Sequence, residues 1–127
     1  MGLTPEQGKT MEKTASIVHA TDATFKTEVL QSDRPVMVDF WAPWCAPCLT
    51  MGETLEAVAP ELGGRVKIVK VNVEENPRVA ALLGIRSIPS LIFFRDGNPL
   101  RMISGALPAR SLREALHLHA EGKLEAR

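Results

Sequence analysis

Hydrophobic residues form short runs between polar turns along the chain, and their spacing predicts alternating strands and helices. Runs rich in β-branched residues predict strands at residues 16–20, 35–41, 66–73, 89–94 and 99–104. Apolar residues at helical spacing predict helices at residues 22–30, 45–59, 77–83 and 108–119. The strands at 35–41 and 66–73 are apolar on both faces and are expected to be central, whereas 16–20 is expected at an edge.

Residues that cap, break or turn the chain set the expected boundaries. Asp22 is expected to cap the first helix. Pro60 is expected to kink or end the second, because its ring clashes with the carbonyl four residues earlier. Gly84 has the position of a helix C-cap. The Asp96–Gly97 pair predicts a tight hairpin, after which the last strand returns antiparallel.

The resulting order of elements is βαβαβαββα, which predicts an α/β fold with helices on both faces of one sheet. Strands linked by helices are expected to run parallel with right-handed crossovers, and the final hairpin adds an antiparallel strand. We expect a single domain over residues 16–127, preceded by a flexible N-terminal tail at residues 1–15.

The size and charge of the chain argue against several classes of function. The chain has 127 residues, of which 45% are hydrophobic, enough to fill a core without disulfide bonds. Lys plus Arg and Asp plus Glu number 15 each, and no basic run is present, which argues against a nucleic-acid binder and a membrane-surface protein. No apolar run approaches the roughly 20 residues of a membrane span.

The N-terminal segment of the chain as it stands is polar and lacks the apolar stretch of a secretory signal. We therefore expect a cytoplasmic protein, whose thiols are kept reduced. A purely structural disulfide is then the weaker explanation for the two cysteines. Redox chemistry or metal binding is the stronger one.

The cysteines, Cys45 and Cys48, lie where a central strand ends and a helix begins. Helical geometry places their Cα atoms roughly 5 Å apart, within the range of an unstrained disulfide. Backbone N–H groups of the first helical turn have no helical partner, so they can stabilise a thiolate and lower the pKa of Cys45 toward neutrality. Pro47 suits the first turn, which needs no N–H from it.

This arrangement predicts dithiol–disulfide exchange. Cys45 attacks a substrate disulfide, a mixed disulfide forms, and Cys48 resolves it to release a reduced substrate. Two structural alternatives remain: two idle buried cysteines, or half of a zinc site or subunit-bridging cluster. Zinc needs about four ligands, and the remaining candidates are His19, His117 and His119, of which the last two point in different directions on a helix.

The segment V-D-F-W-A-P-W-C-A-P-C, residues 38–48, resembles the active-site segment of the thioredoxin family. The likeness continues through residues 69–77, 84–91, 96–97 and 104–107, and covers roughly residues 16–120. The resemblance implies a thioredoxin fold, with a central mixed sheet and helices on both faces. It also implies a monomeric protein-disulfide reductase that binds no cofactor or metal and is recharged from NADPH by a flavin-dependent thioredoxin reductase.

The resemblance assigns roles to individual residues. Cys45 takes the nucleophile position, Cys48 the resolving position, and Asp39 that of a buried aspartate that handles the proton of Cys48, with Lys70 as its neighbour. Trp41 and Pro47 support the site, and Trp41 is expected in the core beneath it. The surface that grips substrate corresponds to Trp44, Ile88, Pro89 as a cis-proline, Gly105 and Ala106.

Physical chemistry supports only some of these roles independently. If Asp39 is buried, desolvation raises its pKa and suits it to accept a proton near neutral pH; the alternative is a solvent-facing carboxylate. A lysine such as Lys70 in a strand usually reaches solvent. Trp44 follows a proline in a loop, which favours exposure.

The chain departs from the family pattern at several positions near the cysteines. Ala46 and Ser87 stand where glycine is usual, Leu49 replaces a positive residue, and Gly52–Glu53 replaces a helix-kinking proline. These changes predict a modest shift in reduction potential of undetermined sign. Two other functions remain open: a binding module with an incidental dithiol, and a disulfide oxidase or isomerase.

Overall fold

The computed structural model describes residues 17–125. The strands are β1 (Ile17–His19), β2 (Val36–Trp41), β3 (Lys67–Asn72), β4 (Ser90–Arg95) and β5 (Asn98–Ser104). The helices are a π-helix (Lys26–Leu30), α1 (Ala46–Leu62), α2 (Pro77–Leu82) and α3 (Ala109–Ala120). The order confirms the one predicted from the sequence. The tail predicted at residues 1–15 lies outside the described residues.

The five strands form one mixed sheet in the order β1-β3-β2-β4-β5. The prediction that β1 is an edge strand, and that β2 and β3 are internal, is confirmed. β1 and β2 both run parallel to β3, but β4 is antiparallel to β2 as well as to β5. The prediction that all helix-linked strands run parallel is therefore wrong for β4.

The length of α2 explains the direction of β4. This helix has six residues and spans about 9 Å, whereas a six-residue strand spans about 20 Å. The helix alone is too short to return the chain to the end of the sheet where β2 and β3 begin. β4 therefore starts at the end where β2 and β3 finish. Ser90, the first residue of β4, consequently pairs with Phe40 near the end of β2.

Side chains of the sheet enter two separate hydrophobic clusters, one on each face. One cluster holds Met37 of β2 and buried residues of α1 and α3, and the other holds Val38 and Phe40 of β2 with buried residues of the π-helix and α2. This confirms that helices cover both faces. Because strand residues alternate between faces, Asp39 lies on the same face as Met37, beneath α1 and α3.

Helix α1 does not end at Pro60, so of the two outcomes predicted there, a kink or an end, the second is wrong. It continues to Leu62 and ends at Gly63, which has a left-handed conformation (φ 57°) and donates its N–H to the carbonyl of Pro60. Pro60 removes one backbone hydrogen bond, but Ala59 and Leu62 on either side of it are buried in the core. Their packing holds the last turn in place.

The prediction that Asp22 caps the first helix is also wrong. In the turn before this helix, the Thr21 hydroxyl accepts the backbone N–H groups two and three residues later at 3.2 Å. Asp22 instead accepts from the N–H groups of Arg78 (3.3 Å) and Val79 (2.9 Å) in the first turn of α2. The side chain of Asn76, the N-cap residue of α2, is engaged elsewhere by accepting from the Asp22 N–H at 2.9 Å.

The hairpin between β4 and β5 confirms the Asp96–Gly97 prediction. Both residues have positive φ, 53° and 79°, as a type I′ turn requires. A Cβ on Gly97 would lie 2.8 Å from the carbonyl oxygen of Leu30, so this position also requires glycine for close backbone approach. None of the helices within residues 17–125 combines the length and apolar character needed to cross a bilayer.

Candidate functional site

Cys45 and Cys48 form a disulfide at the junction between β2 and α1. Their Cα atoms lie 5.2 Å apart, as helical geometry predicts. Cys45 is the N-cap residue of α1, and its sulfur accepts the backbone N–H of Cys48 at 3.2 Å. This contact confirms that an unpartnered N–H group of the first turn points at the leading sulfur. Pro47 lies in the same turn, where its missing N–H is not needed.

The disulfide is poorly exposed, and the two sulfur-bearing residues are not equivalent. Cys45 is 5% exposed, whereas Cys48 is fully buried. The turn leading to Cys45 is fixed by a hydrogen bond from its N–H to the carbonyl of Ala42 at 3.1 Å. An attacking sulfur from another protein can therefore approach Cys45 more readily than Cys48.

Asp39 is fully buried in the middle of β2, so the solvent-facing alternative is wrong. Within residues 17–125, neither of its carboxylate oxygens has a hydrogen-bond partner. Burial raises the pKa of Asp39 from 3.8 to about 7, and the charge of Lys70 opposes part of this increase. The carboxylate can thus gain and lose a proton near neutral pH.

Lys70 lies opposite Asp39 in the register of β2 and β3. Its ammonium nitrogen lies 4.5 Å from the centre of the Trp41 ring, a cation–π distance. Trp41 is half-buried, so the prediction that it belongs to the core is wrong. Trp41 is the last residue of the internal strand β2, and the Lys70 ammonium lies over its ring.

Trp44 is 67% exposed, as its place in a loop predicted. Its indole N–H donates to the carboxylate of Glu74 in the turn after β3. Sequence reasoning missed Glu74 as a member of the site. Glu74 lies beside another glutamate and belongs to no recognisable motif, so the sequence did not indicate that it contacts Trp44, 30 residues away.

The remaining predicted substrate contacts lie around the start of β4 and the end of β5. The Ile88–Pro89 peptide bond is cis, Pro89 is buried and Ile88 is half-buried. The carbonyl of Pro89 accepts the N–H of Gly105 at 2.8 Å, which ties the two loops together, and Ala106 beside it is exposed. Because β4 is antiparallel to β2, the loops before β4 and after β5 lie at the same end of the sheet as the loop that carries the disulfide.

The comparisons with known proteins agree with this geometry. The family model described as Thioredoxin matches residues 16–118. The chain belongs to the thioredoxin family.

Individual relatives match over most of their length. The chain is 48% identical over 105 residues to "Thioredoxin 1" of Nostoc sp., covering 83% of this chain and 98% of that protein. It is 50% identical over 99 residues to "Thioredoxin 1" of Synechococcus elongatus (78% and 92% covered). It is 42% identical over 105 residues to "Thioredoxin" of Haemophilus influenzae (83% and 98% covered).

Family membership together with the disulfide at the C-x-x-C site establishes the reaction class. The chain is a thiol–disulfide oxidoreductase with protein-disulfide reductase activity. Thioredoxins act through this pair of sulfurs, and the active chemistry is carried by the protein's own side chains. The predictions of fold class and function are thereby confirmed.

The zinc alternative finds no support in the part of the chain that the structure describes. No group of three or more His, Cys, Asp or Glu side chains there is arranged to hold a metal ion. The side chain of His117 contacts Glu61 at 3.3 Å. His119 is fully buried, with its Nε2 between the carbonyls of Val36 and Phe94.

The departures from the family pattern lie on the exposed side of the disulfide and on α1. Ala46 and Ser87 are exposed, and Leu49 is 47% exposed one turn after Cys45. Glu53 is exposed, whereas Gly52 faces inward and is buried. Leu49 therefore presents an apolar surface next to the disulfide.

Proposed function

We propose that the protein is a general cytoplasmic electron carrier that reduces protein disulfides and maintains cell redox homeostasis. The single observation that supports this most strongly is the Cys45–Cys48 disulfide at the N-terminus of α1, with Cys45 at the surface end. The two sulfurs can store and release one electron pair without a bound cofactor.

Cys45 acts as the nucleophile. Its thiolate attacks one sulfur of the substrate disulfide, a bond forms between Cys45 and the substrate, and the other substrate sulfur leaves as a thiolate. The N–H of Cys48, which points at the Cys45 sulfur at 3.2 Å, supports the anionic form. A substrate sulfur can reach Cys45 more easily than Cys48, because Cys48 is fully buried.

Cys48 acts as the resolving residue, with Asp39 as the acceptor of its proton. The Cys48 thiolate attacks the Cys45 sulfur, which closes the intramolecular disulfide and releases the second substrate thiolate. Asp39 lies buried on the sheet face that α1 covers, and its pKa of about 7 suits a group that takes up a thiol proton near neutrality. Lys70 lies opposite Asp39 in the strand register, with its ammonium over the Trp41 ring.

The substrate surface consists of Trp44, Ile88, Pro89, Gly105 and Ala106. Exposed Trp44 on one side of the disulfide, and the loops before β4 and after β5 on the other, supply apolar and backbone groups. An extended segment carrying the substrate disulfide can bind between them.

Each cycle leaves Cys45 and Cys48 oxidised, so an external dithiol must reduce them again. We assign this step to a flavin-dependent thioredoxin reductase that draws on NADPH. The protein acts on its disulfide-containing substrates as a monomer.

Two cysteine substitutions test the mechanism. Cys45→Ser should abolish reduction of insulin by NADPH and thioredoxin reductase, because the attacking sulfur is gone. Cys48→Ser should instead accumulate a covalent mixed disulfide with substrate, visible by mass spectrometry without reductant. Insulin reduction by the Cys45→Ser variant at the rate of the unmodified protein would contradict the proposed mechanism. Partner binding by the unmodified protein without any insulin reduction would contradict the reductase function and favour a binding module.

The redox equilibrium with glutathione separates a reductase from an oxidase or isomerase. A reductase in the cytosol needs a potential at or below that of the glutathione pool, about −220 to −260 mV. A markedly higher potential would assign the protein to disulfide formation or isomerisation.

A further inference from the structure

Gly52 lies in the interior of α1, although glycine is a poor helix former. It is buried, and it is not among the glycines with positive φ, so the backbone conformation does not require glycine there. The usual explanation for such a residue is close backbone packing.

The surroundings of Gly52 do not fit that explanation. A Cβ added to Gly52 would lie 3.1 Å from the ammonium nitrogen of Lys70. Within the described part of the chain, no other heavy atom lies within 4 Å of it, apart from the helix's own backbone and the adjoining residues. The space left by the missing side chain is therefore occupied by a single charged atom.

The position of this ammonium is unusual for a lysine next to a buried carboxylate. Lys70 and Asp39 are paired in the strand register, yet no ion pair joins them within residues 17–125. The ammonium lies over the Trp41 ring, 4.5 Å from its centre. The ring on one side and Gly52 on the other define where it can lie.

We propose that Gly52 is a positioning residue for the reductase reaction: it admits the Lys70 ammonium between α1 and the sheet, over Trp41, where its charge acts on Asp39. A Cβ at position 52 would lie 3.1 Å from the ammonium nitrogen, closer than ordinary van der Waals contact, so the ammonium would have to move away from this place. Asp39 would then remain buried with less opposing positive charge.

The direction of the effect follows from electrostatics. The charge of Lys70 lowers the pKa of Asp39 against the effect of burial. Moving the ammonium away from its place beside Gly52 weakens this opposing charge, so the titration midpoint of Asp39 rises. Proton transfer from Cys48 would shift to higher pH by a similar amount.

The test is Gly52→Ala, with the Asp39 carboxyl followed by carbon NMR in the oxidised protein. The disulfide does not titrate, so the midpoint belongs to the carboxyl rather than to a coupled pair. We expect the midpoint to rise, by no more than it does when the charge of Lys70 is removed. Thr50→Ala, an exposed substitution in the same helix, should leave it unchanged and controls for added helix propensity.

A second pair of variants shows whether Lys70 carries the effect. Lys70→Met removes the charge and should raise the midpoint at least as much as Gly52→Ala does. Adding Gly52→Ala to Lys70→Met should then change nothing. An unchanged midpoint in Gly52→Ala, or an equal rise with and without Lys70, would overturn the proposal.

The importance of this position for turnover rests on the proposed role of Asp39, but the NMR titration does not. If the midpoint rises in Gly52→Ala and the pH profile of insulin reduction rises with it, both are supported. If the midpoint rises while the pH profile stays fixed, the placement of Lys70 is supported and the role of Asp39 as proton acceptor is overturned.

Discussion

The exposed indole of Trp44 donates its N–H to the carboxylate of Glu74, 30 residues further along the chain. A large apolar side chain next to the disulfide is thus held in one orientation by a residue outside the active-site segment. Ordering the indole before a substrate arrives reduces the entropy lost on binding.

We predict that Glu74→Ala raises the KM for insulin about two- to tenfold, with little change in kcat. A typical net hydrogen bond contributes about 0.5–1.5 kcal/mol, and both side chains are exposed, so stability should hardly change. Steady-state kinetics and tryptophan fluorescence test this, with exposed Glu75→Ala as the control. An effect of the same size in the control would show that acidic charge, rather than the hydrogen bond, is responsible.

Replacement of Asp39 by Asn should stabilise the protein at alkaline pH. The folded-state pKa of about 7 lies above the ordinary value of 3.8. Between these values the carboxyl ionises in the unfolded chain but stays protonated in the folded protein, so stability is complete below pH 3.8 and falls as the pH rises to about 7. The full difference corresponds to an upper bound on the order of 4 kcal/mol. Asn carries no charge and escapes this loss.

Guanidinium unfolding of the oxidised protein at pH 4 and pH 8 measures the effect. The gain of Asp39→Asn over the unmodified protein should be several kcal/mol larger at pH 8 than at pH 4. Asp33→Asn, at an exposed position, should show no such difference. Equal gains at both pH values would mean that folding does not raise the pKa of this carboxyl.

The sequence allowed correct prediction of features that depend on neighbouring residues. The Cα distance between Cys45 and Cys48 follows from helical geometry, and the hairpin follows from the backbone preferences of Asp96 and Gly97. The order of strands and helices was predictable for the same reason, because each hydrophobic run carries its own periodicity.

The errors, and the points that the sequence left undecided, concern contacts between distant segments. The cap formed by Asp22 depends on α2 being brought beside it, and the direction of β4 depends on how far α2 carries the chain. The burial of Asp39 could not be decided from β2 alone, because both faces of that strand are apolar and only α1 determines what covers the carboxyl. The contact between Trp44 and Glu74 is of the same kind.

The cap that Asp22 provides to α2 should contribute measurably to stability. Its carboxylate accepts from the N–H groups of Arg78 and Val79, and loss of an N-cap acceptor typically costs about 0.5–2 kcal/mol. Asp22→Ala should therefore lower the free energy of unfolding by about 1 kcal/mol, while Asp22→Asn, which keeps an acceptor, should lose less. Exposed Asp33→Ala serves as the control in the same denaturant titration, and an equal loss there would contradict the capping role.

The buried His119 should make the protein less stable in mild acid. Its Nε2 lies 3.1 Å from the carbonyl oxygen of Val36 and 3.0 Å from that of Phe94. Since both partners are acceptors, this nitrogen carries the proton of the neutral ring. Its Nδ1 is buried and has no partner within residues 17–125, so a second proton would be placed in an unsatisfied position.

Burial accordingly lowers the pKa of His119 below its ordinary value of 6.5, and the charge of Arg95 acts in the same direction. The unfolded chain binds the proton more tightly than the folded one, so stability is complete above about pH 6.5 and falls as the pH decreases toward the folded-state pKa. The loss amounts to about 1.4 kcal/mol for each pKa unit of difference.

Asp39 produces the opposite slope in the same pH range, so the two effects must be separated. In an Asp39→Asn background, the free energy of unfolding should fall between pH 7 and pH 5. Adding His119→Gln, whose amide can still donate to the two carbonyls, should flatten that slope, whereas His117→Gln on the same helix should not. A slope that persists unchanged without His119 would show that another group takes up the proton as the protein unfolds.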